Sequence, residues 1–246
     1  MKNTNLKFKI LYFLFLIYMF IPFPSSNALS NEDWKTKEEV LDEVERANKT
    51  FESIEADLTF TKIIPLLEVN EVSNGEIRYK KPGYAYIKFS APRNEINVID
   101  GEYVWIFHPG TKQVEKYKAK EDAQEGGSQP TQGINFFELG YNSSVAEANK
   151  RYEISLIEKK VEKGKKFYVL ELITKANSPQ ADDRYSKIHL WIEEGFWLPS
   201  VIELSESEGE IVNKIELNNI SLNKPIPDKT FQFVVPKGVE VIEPFK

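Results

Sequence analysis

Few residues of this chain can carry out nucleophilic, acid–base or metal chemistry. Its 246 residues include two histidines and no cysteine, which excludes thiol nucleophiles, disulfide frameworks and cysteine-based zinc sites. His108 precedes Pro109 at a predicted turn and His189 lies in a predicted strand; neither has a neighbouring Asp or Ser that indicates a catalytic triad. Motifs such as the P-loop, G-x-S-x-G and H-E-x-x-H are missing. We therefore expect no catalytic residue, no metal site and no cofactor.

Two carboxylate pairs remain as candidates for acid–base chemistry. Glu193 and Glu194 lie in a predicted strand, where neighbouring side chains point to opposite faces, so they act on one substrate only if the strand ends there. Asp182 and Asp183 lie in a polar loop, where solvated charge is the ordinary interpretation. A secreted hydrolase that uses two distant carboxylates stays open as the least favoured function.

Large apolar side chains are abundant, with 16 Phe, 11 Tyr and 4 Trp in the whole chain. Residues 103–107 are apolar on both faces of a predicted strand, and residues 189–192 and 196–198 are nearly so. Because an antiparallel strand with one face in water alternates apolar and polar residues, both faces of this sheet must be covered. This pattern fits either an ordinary β-rich core or a curved sheet that encloses an apolar cavity for a lipid.

The elements that position these residues are short strands and a few helices. An amphipathic helix is predicted over residues 34–51 and a second one from Ser144, whose side chain begins a capping box with Glu147. Turn dipeptides separate segments with a period of two. They predict about eleven strands, over residues 76–81, 84–90, 95–99, 103–107, 112–117, 152–159, 166–174, 187–193, 196–205, 210–217 and 230–235.

The predicted fold class is mainly β with helices (α+β). Tight turns favour antiparallel pairing, and strands covered on both faces favour a strongly curved sheet or open barrel with a helix inside it or across its mouth. Residues 119–133 contain no large apolar side chain and are predicted to be a solvated loop, either a linker or a flap over a site.

The N-terminal segment has the order of a secretory signal peptide. Three lysines precede an apolar run at residues 10–23, and Ser26-Asn27-Ala28 matches a cleavage signal, so residues 1–28 are predicted to be removed. A retained membrane anchor is the alternative, although the run is shorter than the about 20 residues that span a bilayer. Residues 29–246 are then a single soluble domain without a lipid-modified cysteine.

Loss of those lysines changes the formal net charge from −6 to −9. An acidic chain without a basic patch binds nucleic acids and anionic membranes poorly, so we expect no nucleic-acid partner.

Three stretches of the sequence resemble the pattern of one protein family. They are G-E-I-R-Y-K-K-P-G at residues 75–83, D-G-x-x-x-W-x-x-x-P at residues 100–109, and F-x-F-x-x-P-x-G-V-x-V at residues 231–241. Together and in this order they resemble the periplasmic outer-membrane lipoprotein carrier family, LolA. The resemblance extends from the first helix to the C-terminus and identifies the chain as a divergent, LolA-like member.

The resemblance implies a fold, a function and partners. The fold is an unclosed barrel of eleven antiparallel strands with helices as a lid over an apolar cavity. Members accept acylated lipoproteins from an inner-membrane lipoprotein-releasing ABC transporter and carry them through the periplasm to an outer-membrane acceptor. We expect a monomer. The candidate cavity and lid residues are Lys81, Ile87, Phe89, Trp105, Phe107, Phe136 and Phe137.

This chain departs from the family pattern at the first motif. The family usually has Arg before the proline, a residue linked to lid closure, whereas Lys81 keeps the charge without the planar guanidinium. On the next strand, Ala85 and Ile87 replace large aromatic residues and Phe89 is retained. These changes predict a cavity of different shape. A lipid-binding sensor or envelope protein of the same fold, without transfer activity, is the main alternative.

Overall fold

The computed structural model describes residues 34–119, 138–175, 185–206 and 210–243. Twelve strands form one sheet. The strands are β1 (Ser53–Ile64), β2 (Val69–Lys80), β3 (Tyr84–Phe89), β4 (Glu95–Ile99), β5 (Tyr103–His108), β6 (Gln113–Lys118), β7 (Tyr152–Glu162), β8 (Lys165–Thr174), β9 (Tyr185–Glu193), β10 (Pro199–Glu206), β11 (Val212–Leu222) and β12 (Glu240–Ile242).

The described helices are α1 (Lys37–Thr50) and α2 (Val145–Arg151). Each begins at a hydroxyl side chain that satisfies a free backbone N–H: Thr36 accepts from Glu39 N, and Ser144 accepts from Glu147 N. One π-helical turn (Glu138–Asn142) precedes α2. The second helix begins at Ser144 as predicted, whereas the first begins three residues after the predicted start at Trp34. Apart from Trp34 and Lys35, the described residues belong to one compact unit that begins at Thr36.

The sheet joins distant parts of the chain at its centre. Its order is β12-β6-β5-β4-β3-β2-β1-β11-β10-β9-β8-β7. In this order, each strand pairs antiparallel with its neighbour, except for β12 and β6, which pair parallel. The long strands β1 and β2 form a hairpin, and β1 pairs with β11 on its other side.

Register divides the sheet into two faces. Ile87, Asn97 and Ile106 lie opposite one another on β3, β4 and β5, so they share one face. We call this the inner face because α1 covers it: Phe51, at the end of α1, stacks on Tyr79 of β2 with ring centroids 6.0 Å apart. The other side is the outer face.

The outer face of β2 to β6 is covered by the end of the chain. A 3₁₀ turn (Asp228–Phe231) places Phe231 against Tyr84, and Phe233 lies against Trp105 with centroids 5.4 Å apart. Strand β12 then pairs with β6. We call residues 226–242 the C-terminal cover. The prediction that both faces of this sheet are covered is therefore confirmed for β5.

The fold class is confirmed, but the predicted strand list needs correction. Strand β1 was not predicted, and the predicted strand at 230–235 is a 3₁₀ turn followed by chain that forms no ladder. Phe231 and Phe233 are spaced two residues apart, as apolar residues of a strand are, but here both side chains cover the outer face of the sheet. Prolines at 225, 227 and 236 flank this segment, so a ladder could not extend through either end of it. Most of the predicted loop at 119–133 lies outside the described residues.

Candidate functional site

An apolar cavity lies between α1, α2 and the inner face of the second half of the sheet. Its volume is about 30 Å³, which is room for one or two water molecules. The wall is mostly aliphatic and consists of Leu41, Val44, Asn48, Gly140, Ser143, Ser144, Val145, Ala148, Ile154, Leu170, Leu172, Leu190, Ile192 and Pro199. We call α1 together with residues 140–151 the lid.

Lys81 fastens the end of α1 to the sheet. It directly follows β2, and its Nζ donates to the backbone carbonyl of Asn48 at 2.7 Å. The ammonium group also lies 5.3 Å from the ring centroid of Phe51. Burial lowers the pKa of Lys81 because the charged form loses hydration. Lys81 therefore joins the end of α1 to the sheet by one hydrogen bond, and its predicted role in closure of the lid stays a prediction.

The second part of the lid docks on β10 without any charge. The hydroxyl of Tyr141 donates to the carbonyl of Pro199, and the ring is fully buried, which raises the pKa of Tyr141. The neighbouring Gly140 lies so close to the same proline that a Cβ there would be 2.4 Å from Pro199 Cγ. Only glycine permits this approach.

The two parts of the lid also contact each other. The carboxylate of Glu45 on α1 accepts a hydrogen bond of 2.8 Å from the backbone N–H of Val145, at the start of α2. This bond lowers the pKa of Glu45. The helices are therefore joined by polar contacts rather than by an extensive apolar interface.

Asn48 is a buried polar residue in the cavity wall. It is 8% exposed, its Nδ2 donates to the carbonyl of Ser143 at 3.3 Å, and no donor among the described residues reaches its Oδ1. Asn97, on the inner face of β4, has a similar arrangement: its Nδ2 donates to Glu95, and its Oδ1 has no donor among the described residues. Most buried polar atoms in proteins have a partner, so both oxygens need a physical explanation.

The predicted site residues that the structure describes fall into three groups. Lys81 lies at the lid, and Ile87 and Phe89 are buried on the inner face of β3. Trp105 and Phe107 lie on the outer face of β5, opposite to the buried Val104 and Ile106.

Phe136 and Phe137 lie outside the described residues, so their predicted role in closing the cavity stays a prediction.

The structure assigns the faces of β5, which the sequence left open: Val104 and Ile106 face inward, and Trp105 packs under the C-terminal cover.

The motifs that carry the family resemblance are mainly structural. Asp100 accepts from the N–H groups of Glu102 and Tyr103 and from Trp105 Nε1, the last at 2.8 Å. Phe233 of the last motif then packs on Trp105. The second and third motifs thus meet on the outer face, away from the cavity.

The candidate acid–base residues do not form one site. Glu193 pairs with Lys165 at 2.8 Å, whereas Glu194 accepts from the Tyr168 hydroxyl. Each histidine lies between two glutamates of neighbouring strands, His189 between Glu171 and Glu203 and His108 between Glu95 and Glu115. Within the described residues, no group of three metal-ligating side chains is suited to a metal ion. Asp182 and Asp183 lie outside these residues.

Sequence reasoning missed the residues that dock the lid. The signal for Asn48 was present, since Val40, Val44 and Asn48 are spaced by four residues and form the buried stripe of α1. A polar residue at the third position of an apolar stripe marks a special site. Nothing in the sequence indicates that Gly140 and Tyr141 meet Pro199, because that contact depends on the curvature of the sheet.

Comparison with known proteins identifies the family. The model of the family described as outer membrane lipoprotein carrier protein LolA matches residues 49–234. This chain belongs to the LolA family. The predicted resemblance and the unclosed β-barrel with few helices are thereby confirmed.

Two relatives show how distant the similarity is. The uncharacterized protein MJ0687 of Methanocaldococcus jannaschii is 24% identical over 206 residues, which cover 83% of this chain and 53% of that protein. The chain thus spans about half the length of this relative. An outer-membrane lipoprotein carrier protein of Legionella pneumophila (strain Corby) is 28% identical over 171 residues, which cover 70% of this chain and 74% of the relative.

A solved structure agrees at the level of the fold. An uncharacterized conserved protein from Thermus thermophilus has a TM-score of 0.52 at 12% identity, covering 85% of this chain and 99% of that chain. Among the described residues of our chain, no helix has the length and apolar character that crossing a membrane requires.

Proposed function

We propose that this LolA-family protein is a periplasmic carrier that binds the acyl chains of lipoproteins released from the inner membrane and carries them to the outer membrane. The observation that supports it most is the aliphatic cavity under a lid, formed by α1, α2 and strands β7 to β10. Under this proposal the chain binds and transports, and it catalyses no reaction.

The size of the cavity requires the lid to move when a ligand binds. A volume of about 30 Å³ does not accommodate an acyl chain, so the described conformation is a closed form. Opening breaks the hydrogen bond from Lys81 to Asn48 and the contact of Tyr141 with Pro199. A ligand favours the open form only by the difference in its affinity for the two forms.

A carrier also has to release its cargo. Each acyl methylene removed from water contributes about 0.8 kcal/mol, so full burial of one chain approaches the strongest noncovalent affinities. The free energy needed to move the lid is subtracted from this gain. A lid fastened by a few polar contacts therefore weakens binding to a level at which transfer becomes feasible.

The proposed partners follow from this role. The carrier receives acylated lipoproteins from the inner-membrane lipoprotein-releasing ABC transporter and gives them to an outer-membrane acceptor. It acts as a monomer in the periplasm after loss of residues 1–28. The negative charge of the chain is compatible with a carrier that does not adhere to anionic membranes.

A transfer assay tests the proposal. The protein, loaded with a palmitoylated lipoprotein during expression, is mixed with vesicles that contain an outer-membrane acceptor, and the cargo that moves to the vesicles is measured. We expect acylated cargo to copurify and to move only to vesicles with the acceptor. The control is Leu190→Asp, which places a carboxylate on the cavity wall and should abolish loading.

Two results would contradict the proposal. Loading without transfer to any acceptor would indicate a lipid-binding sensor or envelope protein of the same fold. No loading at all, with equal behaviour of the wild type and Leu190→Asp, would show that the cavity binds no acyl chain.

A further inference from the structure

Asn48 provides one unpaired hydrogen-bond acceptor in the cavity wall. The side chain is more than nine-tenths buried, and its Oδ1 has no donor among the described residues. The orientation of the amide follows from its other contact, because Nδ2 faces the carbonyl of Ser143 at 3.3 Å and a carbonyl can only accept. The oxygen is thus the atom that remains unpaired.

Most residues around Asn48 in the cavity wall are aliphatic, and the other polar side chains there are the hydroxyls of Ser143 and Ser144. Sheet residues such as Leu172, Leu190 and Ile192 form one side of the cavity, and Leu41 and Val44 of α1 form the other. A buried acceptor without a donor loses its hydration and gains nothing in return. A ligand that enters the cavity therefore binds more tightly if it brings an N–H or O–H group to this position.

Asn48 also joins both parts of the lid to the sheet. Its backbone carbonyl accepts from Lys81, and its Nδ2 holds Ser143 in the second part of the lid, so the residue is at the junction of the lid and the sheet. The aliphatic wall extends from there beneath α1. An acyl chain that lies along this wall with its linkage group at the junction would bring that group next to Asn48.

We propose that Asn48 Oδ1 accepts a hydrogen bond from the N–H of an acyl amide, so that the cavity selects fatty acids joined to an amine over those joined to an alcohol. This inference rests on the proposed function, because it requires an acyl chain in the cavity. It adds a specificity for the linkage that apolar contacts alone cannot give. Asn48 is thus a specificity residue of the cavity.

Two ligands that differ in one atom test the inference. Methyl N-palmitoylglycinate contains an amide whose N–H is its sole donor, and methyl O-palmitoylglycolate has an ester oxygen in that place. Their affinities are measured by competition with a fluorescent acyl probe. We expect the wild type to bind the amide about ten-fold more tightly than the ester. This is the effect expected when one buried acceptor gains a hydrogen bond.

The variants separate recognition from the structural role of Asn48. Asn48→Leu should lose the preference for the amide and bind the ester at least as tightly, because the buried N–H of the amide then has no acceptor. Asn213→Leu is the matched control: Asn213 of β11 is also buried and donates its Nδ2, to Glu206 at 3.4 Å, but it belongs neither to the lid nor to the cavity wall. It should keep the ten-fold preference. If Asn48→Leu does not fold, Asn48→Ala replaces it in the same comparison.

Each result has a defined meaning. Equal affinity of the wild type for amide and ester overturns the inference and leaves the proposed function intact, as does a preference that persists in Asn48→Leu. Failure of the wild type to bind either ligand overturns the proposed function itself. If the wild type prefers the amide, an N-palmitoylated tetrapeptide distinguishes the two possible sources of an acyl amide. Tighter binding than the small amide indicates a lipoprotein terminus, and equal binding indicates a free lipid amide.

Discussion

Two adjacent lysines hold the two covers of this sheet. Lys80 ends β2 on the outer face and binds Asp228 of the C-terminal cover, with 2.6 Å between Nζ and Oδ1. Lys81 turns to the other side and donates to Asn48 of the lid. The C-terminal cover packs aromatic rings on the sheet and satisfies the Trp105 indole through Asp100, whereas the lid encloses a cavity and an unpaired acceptor.

Under the proposed function, this difference separates a permanent cover from a cover that opens. Stacked rings and paired polar atoms make the outer side costly to separate. The lid leaves space and one unsatisfied atom, so opening it costs less and a ligand can compensate for the loss. Under the proposed function, one sheet thus carries a structural face and a binding face.

The largest expected effect is at the structural face. Trp105→Ala removes the ring that packs on Phe233 and leaves Asp100 without the indole donor. We expect a loss of about 3 kcal/mol in the free energy of unfolding, measured with urea, and unchanged affinity of the folded fraction for an acyl probe. Val234→Ala, at a residue that is 80% exposed, is the control and should cost little. A loss of probe affinity in Trp105→Ala would place this ring at the binding face instead.

The next effect concerns the docking of the lid. Gly140→Ala places a Cβ 2.4 Å from Pro199 Cγ, so the segment that carries Tyr141 must move away. We expect a loss of about 2 kcal/mol in stability together with faster association of an acyl probe in stopped-flow measurements. Gly110→Ala, where a Cβ meets no atom within 4 Å, controls for the substitution itself. Identical association rates for both variants would show that this contact does not limit opening.

The two lysines give a smaller and more specific test. Lys81→Met removes the donor to the Asn48 carbonyl, which should weaken closure of the lid by about 1 kcal/mol and speed exchange of the probe about five-fold. Lys80→Met should lower stability slightly without changing exchange, because Lys80 contacts the C-terminal cover. If both variants exchange equally fast, the covers are not independent.

The smallest effect concerns the outer face of β8 to β10. The hydrogen bond from His189 holds the pKa of Glu171 below its usual value of 4.5. Ionised Glu171 therefore contributes stability that is present above about pH 4.5 and is lost as the pH falls through the lowered pKa. Glu171→Gln should flatten the acid side of the stability curve, measured by urea unfolding between pH 3 and 7, without affecting probe binding. An unchanged curve would show that this contact does not contribute.

The sequence predicted local structure well because local rules determined it. The start of the second helix follows from Ser144, and strict alternation divided the residues of β5 into two sets, although it did not indicate which set faces inward. Strand β1 was missed because its second half has no buried residue, so the alternation of apolar and polar residues there is weak. The segment at 230–235 was predicted as a strand because Phe231 and Phe233 alternate, and alternation alone does not distinguish a ladder from a cover.

The binding face was less predictable than the fold. Lys81 was identified through a motif, but its acceptor is a backbone carbonyl on α1 that no sequence pattern marks. Trp105 and Phe107 were chosen for their size, yet large aromatic rings also serve packing, and register alone decides which face they occupy. Asn48 carried the clearest signal, a polar residue on a buried helical stripe.

The pairing of β1 with β11 affects how the chain can be made. Asn219 of β11 donates to Asp57 of β1 across a separation of 162 residues. Pairings between such distant segments form slowly, because the entropy cost of closing a long loop comes before any stabilising contact is made. During synthesis the ribosome has to complete most of the chain before this central seam can form, and until then the long edge of β1 is an exposed template for aggregation. The chain should therefore depend on being held unfolded until its second half has emerged.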